Sequence, residues 1–297
     1  MRSDAATDGL AASAPEKGGP KGGGRREIIL RVVSALVLAP LGVWAIYAGG
    51  IGLYIATALC GAIAAFEWTR MASQAETGWV RWAQYAVLGL TAVAAVVLGG
   101  CGIEMVALAS LAGCAVASGL AHLGKGSLSS MAFGAIYTSL PFGCFVWIRE
   151  VTPGGQMILL SILGIVIATD VGAYFAGRGF GGPLLSPKDS PNKTWTGAIG
   201  ALVCAGLAGA AVARAGGGDF AHWLVFGMLL SVVAQCGDLL ESRFKRLYGV
   251  KDTSGFLPGH GGVLDRLDGL MAATVAAALI IRFLPALAPS LSTAAGQ

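Results

Sequence analysis

The sequence predicts an all-α polytopic integral membrane protein, a helical bundle of about nine transmembrane helices. Three observations carry this reading. Of 297 residues, 55% are hydrophobic and 12% charged, whereas a soluble domain carries about 25% charged residues; the mean hydropathy is +0.72. The apolar residues fall in long runs, close to the ~20 residues a helix needs to cross a bilayer. None of these runs alternates polar with apolar residues as a membrane barrel strand must.

Before the first run, residues 1–27 are rich in Gly, Ala and charge and show no helical stripe, which predicts a disordered cytoplasmic tail. The run 28–48 exceeds the ~7–15 apolar residues of a signal peptide, so it is expected to be an uncleaved first span. The following spans are expected at 50–67, 83–100, 103–123, 128–148, 155–177, 194–213, 220–240 and 263–284. Residues 28–150 then form an N-terminal set of helices, 151–285 carry the polar chemistry, and 286–297 form a C-terminal tail.

Lys and Arg placement orients the bundle. With the N-terminus in the cytoplasm, nine spans leave only Arg149, Arg214 and Arg282 outside, out of 20 Lys and Arg. The site described below then faces the cytoplasm, in the inner (plasma) membrane. Glu67 and Glu104 lie near span ends and are expected to be solvated or to snorkel; His122 and His222, also at span ends, receive no role. Trp68, Trp79, Trp82, Trp147 and Trp223 flank spans as an interfacial belt would. The six cysteines show no CxxC spacing and read as small core-filling residues. The formal charge of +4 is modest, and no nucleic-acid partner is expected.

Three polar stretches break the second half of the chain: 169–197, 235–246 and "KDTSGFLPGHGGVLDRLDGL" at 251–270. On this topology all three face the cytoplasm. Asp170 interrupts an apolar helix, where an acid costs about 2.5–3.5 kcal/mol on insertion scales, and such acids usually line a site. Asp238, Ser242 and Lys245 share one helix face, a carboxylate, hydroxyl and ammonium suited to a magnesium-bridged phosphate. Gly259, Gly261 and Gly262 would let backbone N–H groups approach a phosphate at the N-terminus of the last span. Asp265 and Asp268, one turn apart, call for a cation beside them. Mg²⁺ typically takes one or two carboxylates and fills its shell with water and phosphates. The residues alone thus describe phosphoryl or nucleotidyl transfer at a membrane edge, without a named substrate.

These stretches resemble the phosphatidate cytidylyltransferases (CDP-diacylglycerol synthases). That family's signature is matched at every fixed position from Ser242 to Asp268, through Phe244, Lys245, Arg246, Lys251, Asp252, Ser254, Leu257, Pro258, His260, Gly261, Gly262, Val263, Asp265, Arg266 and Leu267. Upstream, "DVGAYFAGRGFG" with Asp170, Tyr174, Gly177 and Arg178, and Ser190-Pro191 followed by Lys193-Thr194-Trp195, are similar to it as well. Thr196 departs from the pattern, which often has Glu there. The resemblance is specific over about residues 165–285 and implies transfer of CMP from CTP to phosphatidate, releasing pyrophosphate. It also implies Mg²⁺ with K⁺ as a second cation, held by Asp238 and Asp265, and a homodimer. Lys245, Arg246, Lys251 and Arg266 are assigned to phosphates, and His260 to a hydrogen bond with one. Asp170, Ser190, Lys193, Thr194, Ser242, Gly261, Gly262 and Asp268 complete the expected substrate site.

Two other readings stand beside it. An ion-coupled transporter would place polar groups near the midplane of several helices, and the absence of a visible internal repeat weighs against the inverted-repeat form. A transferase acting on another lipid phosphate would share the chemistry. The CDP-alcohol phosphotransferase pattern fails, because Asp268-Gly269 leads into Ala272-Ala273 without its later acids.

Overall fold

The computed structural model describes residues 40–73, 78–216, 218–256 and 261–288. The expected N-terminal tail, the first part of the first span, His260 and residues 289–297 lie outside them. Helix α1 covers 40–48 within the described residues. It is followed by α2 (Gly50–Ala72), α3 (Trp79–Gly99), α4 (Ile103–Leu123), α5 (Leu128–Tyr137), α6 (Leu140–Val151) and α7 (Gly155–Phe180). A two-stranded hairpin, β1 (Leu184–Ser186) and β2 (Ser190–Thr194), precedes α8 (Trp195–Gly216), α9 (Phe220–Leu247) and α10 (Leu264–Phe283). The protein is an all-α polytopic membrane bundle with one small hairpin added.

Among the described residues, seven helices are long and apolar enough to cross a membrane: α2, α3, α4, the α5–α6 pair taken together, α7, α8 and α9. Helix α10 has a span's length, 20 residues, but Asp265, Arg266 and Asp268 at its start and Arg282 at its end leave it without the long, lightly charged stretch that each of those seven contains. The expected span 128–148 is broken into α5 and α6 because Pro141 lies in the first turn of α6. A proline there has no N–H to return to the preceding turn. The loosened turn is held by side chains: Thr138 Oγ1 donates to Gly134 O at 2.8 Å and Ser139 Oγ to Ala135 O at 2.6 Å. Asp219 caps α9, accepting the His222 N–H at 2.8 Å, and these hydrogen bonds hold its carboxyl below the usual carboxylate range.

Helix α9 runs for 28 residues, about 42 Å at 1.5 Å per residue. That exceeds the ~30 Å hydrocarbon core, so its polar last turns, with Glu241 and Lys245, extend past the apolar run. It packs antiparallel on α10 at Gly237, where a Cβ would lie 2.6 Å from Ala272 Cβ and 3.0 Å from Asp268 O. Small residues allow such close backbone approach between membrane helices.

Two apolar clusters fill the bundle. One joins α6 through α10 around Ile162, Trp223, Phe226 and Leu230. The other joins α2 to α6 around Trp68, Leu88, Met131 and Val146. Trp68, Trp147 and Trp223 are therefore core residues rather than parts of an interfacial belt; Trp79 and Trp82 do face outward. Trp68 carries an aromatic cluster with Phe133, Tyr137, Phe244 and Tyr248, at ring separations of 5.4, 5.5, 5.0 and 6.2 Å. The cysteines are all free, but Cys101 and Cys236 are exposed and only Cys144 is buried.

Long-range polar contacts gather at the two ends. At one end Arg149 donates to Ile46 O and Tyr47 O at 2.6 and 3.2 Å, and Arg282 pairs with Glu104 at 2.8 Å. Glu104, expected to be solvated, is exposed and forms this ion pair. The other end carries the site.

Candidate active site

Four segments converge at that second end: the C-terminal turns of α7 and α9, the β-hairpin, and the start of α10. The stretch 184–194, expected only as a polar loop, folds back on itself with Leu184 opposite Thr194 and Ser186 opposite Ser190. Trp195 N–H donates to Pro183 O at 3.1 Å, and Thr194 Oγ1 accepts the Gly197 N–H at 3.1 Å, a side-chain cap on the start of α8. Thr196 donates to Gly181 O, tying the helix start to the end of α7. This anchoring delivers Lys193 from β2 to the α9 face, where its ammonium pairs with Asp238.

The segments enclose a cavity of about 450 Å³. Asp170 and Tyr174 line it from α7, Lys193 and Thr194 from β2, Gln235, Asp238 and Lys245 from α9, and Asp265, Arg266 and Asp268 from α10. Asp252, in the α9–α10 connection, lines it too. Tyr174 is 57% exposed, so the cavity opens through the α7 face. Five aspartates against Lys193, Lys245 and Arg266 leave the lining rich in negative charge.

Asp265 is the most heavily engaged of these acids. Its Oδ1 receives Lys245 Nζ at 2.7 Å, and Lys245 also faces the buried Glu241 at 3.5 Å. Its Oδ2 accepts Thr253 N–H at 3.0 Å, Thr253 Oγ1 at 3.0 Å and Gly262 N–H at 2.8 Å. The turn that allows this has Gly261 at φ +81°, a conformation glycine adopts without the Cβ penalty.

The structure thus brings Asp170, Lys193, Thr194, Asp238, Lys245, Asp265, Arg266 and Asp268 to one cavity. Ser190, Ser242, Arg246 and Lys251 do not line it. Ser190 lies opposite Ser186 in the hairpin; Ser242 is half-buried on α9; Arg246 and Lys251 are exposed. His260 is outside the described residues. The glycines act differently from the expected phosphate cradle. A Cβ on Gly262 would overlap Thr253 Oγ1 and lie 2.7 Å from both carboxylate oxygens of Glu67, so the space is filled by the protein's own acid.

Glu67 also stands elsewhere than the sequence predicts. Expected at a solvated helix end, it is 0% exposed and accepts Val263 N–H at 3.0 Å and Leu264 N–H at 2.8 Å. Thr253 Oγ1, whose one proton is shared with Asp265, lies 3.3 Å from it, and Ser254 Oγ donates to it. The anion at the N-terminus of α10 is thus a side chain from α2. The interrupted apolar pattern "AAFEWTRM" carried the only sequence signal, an acid within a helix face that is otherwise buried.

A divalent cation fits this donor set by chemistry: carboxylate oxygens suit Mg²⁺, and acids outnumber bases around the cavity. Asp238 and Asp265 reach it from the end of α9 and the start of α10. Among the described residues no three His, Cys, Asp or Glu form a metal-holding group, so two protein carboxylates would leave most of the shell to water and phosphate. Lys193 and Lys245 now neutralise those two acids.

The chain is 38% identical over 258 residues to a phosphatidate cytidylyltransferase of Brucella suis, covering 85% of this chain and 92% of that protein. It is 42% identical over 125 residues to the Haemophilus influenzae protein of the same name, covering 40% of this chain and 43% of that one. A Helicobacter pylori phosphatidate cytidylyltransferase is 41% identical over 131 residues, 44% of this chain and 49% of the relative. Residues 29–284 match the Cytidylyltransferase family, and the chain belongs to that family.

Proposed function

We propose that this chain is a phosphatidate cytidylyltransferase, joining CTP and phosphatidate into CDP-diacylglycerol and pyrophosphate for phospholipid biosynthesis. One observation carries the reading beyond the family relationship. A charged cavity with three basic side chains and an excess of carboxylates sits at one end of an apolar bundle and opens through a helix face. A lipid phosphate held in the bilayer and a nucleotide from water can meet there. The polar contacts of the cavity are gathered at that end, which is not the arrangement of a midplane transport site.

A phosphatidate oxygen attacks the α-phosphorus of CTP, forming the new P–O bond as the bond to the β-phosphate oxygen breaks and pyrophosphate leaves. Two unit charges 4 Å apart repel by about 4 kcal/mol at an effective dielectric of 20, so the approach of two anions must be offset. Lys193, Lys245 and Arg266 supply that positive charge, with the two lysines aimed at phosphate oxygens rather than at the acids they now meet. Asp238 and Asp265 would hold Mg²⁺, with K⁺ as a second cation; the metal's chemistry is to screen the phosphates and orient reacting oxygens. A phosphate monoester is already ionised near pH 7, so the site needs no strong general base.

The same reading places nine spans in the inner membrane, the cavity on the cytoplasmic side, and two copies in a dimer. It is supported by Arg149 and Arg282 lying at the end opposite Lys193, Lys245 and Arg266. Purified protein given CTP, phosphatidate and Mg²⁺ should release pyrophosphate and form CDP-diacylglycerol, and EDTA should stop both. No product under these conditions would remove the assignment.

A further inference from the structure

Helix α10 begins without a cap of its own: its N-cap residue, Val263, offers no side-chain acceptor. A helix start leaves several N–H groups unsatisfied, and burying them unpaired is costly. Glu67 supplies the acceptor from α2, 196 positions earlier in the chain than Val263. One oxygen takes Val263 N–H and the other Leu264 N–H. The carboxylate also lies at the positive end of the helix dipole, a favourable place for an anion.

Thr253 extends the connection into the cavity. Its hydroxyl lies 3.3 Å from Glu67 Oε2 and 3.0 Å from Asp265 Oδ2, and its N–H also reaches Asp265. Gly262 stands between them, donating its N–H to Asp265 while leaving room for Glu67. The Asp265 carboxylate is therefore oriented by a turn whose backbone is fastened to α2. Neither Glu67 nor Thr253 lines the cavity, so neither touches substrate.

We infer that Glu67 is a positioning residue for the transfer reaction: it fastens the Thr253 and Gly262 turn and the first turn of α10 to α2, and so sets where the Asp265 carboxylate points. This assigns a functional task to the N-terminal helices, which otherwise contribute packing. The inference rests on the proposed function for its kinetic consequence but not for its structural one.

The test uses full-length protein in lipid nanodiscs. Glu67→Gln keeps the side-chain length while replacing one acceptor oxygen with an amide donor that would face existing donors. Exchange of the Val263 and Leu264 amides should quicken, at least about tenfold for the one that faces the new amide donor, because one of the two acceptor oxygens is gone, while exchange in α3, α4 and α8 stays at the wild-type level. The kcat for CDP-diacylglycerol formation should fall at least about tenfold, since a 1 Å misplacement can cost about 10²-fold. Thr253→Val, which removes only the linking hydroxyl, should reproduce the loss in kcat. Thr253→Ser, which restores it, should return the rate to within about threefold of wild type, the span expected for loss of one methyl contact.

A folded Glu67→Gln protein with wild-type exchange at both Val263 and Leu264 overturns the inference, as does a Thr253→Val protein with wild-type kcat. If Glu67→Gln does not accumulate folded, the Thr253 pair decides alone. If the wild type itself forms no CDP-diacylglycerol, the functional proposal fails and amide exchange decides the Glu67 link.

Discussion

Lys193 and Lys245 meet Asp238 and Asp265 in the cavity, and the energetic meaning of those pairs depends on what else enters. With an anionic substrate present, a lysine that leaves a carboxylate for a phosphate oxygen gains a more highly charged partner, while a cation takes over the acid. Lys193→Ala should therefore lower kcat/KM by about 10²-fold or more, the range seen when one donor aimed at developing charge is removed. Initial rates at limiting CTP and limiting phosphatidate check this; near-wild-type values at both would take the hairpin out of the site. Asp170 also lines the cavity, and Asp170→Asn tests whether its charge matters: a fall in affinity for Mg²⁺ and CTP is expected, read from their concentration dependence. The acids of the C-terminal motif could be read from the sequence because they are near one another in the chain. Glu67 could not, because the donors it serves lie at Thr253 to Leu264, brought to it only by tertiary packing.

At the level of elements, the span pattern was largely legible, since hydropathy over ~20 residues reflects one dominant requirement, burial of the backbone in lipid. What escaped was short or long-range. The hairpin 184–194 contains Pro191 in a five-residue strand, tolerated at a sheet edge but giving no alternation to read. Pro141 did mark the break between α5 and α6, yet a proline in a membrane helix is often accommodated, and the expected span ran through it. The α9–α10 contact at Gly237 is the element-level feature that brings Asp238 near Asp265. Gly237→Val should separate the two helices, destabilising the protein by about 1–3 kcal/mol, the usual range for overpacking, and reducing activity more than a surface change would. Thermal unfolding in detergent together with the transfer rate measures both effects; an unchanged melting temperature and rate would mean the contact is loose.

For the whole molecule, the bundle separates two polar ends, one with Arg149 and Arg282 and the other with the cavity. Labelling of single cysteines introduced at Lys125 and at Arg149 in intact cells should place the former in the cytoplasm and the latter outside; the same side for both would break the span count. The central claim is that the cavity at the α9–α10 ends is where CMP moves from CTP to phosphatidate, with Asp265 holding the cation. It is tested most directly by the rate of CDP-diacylglycerol formation in purified Asp265→Asn protein, titrated with Mg²⁺ and compared with wild type at equal folded content. Loss of product to background at every Mg²⁺ concentration is the predicted result. A folded Asp265→Asn protein that turns over at the wild-type rate, with the same Mg²⁺ dependence, would contradict it.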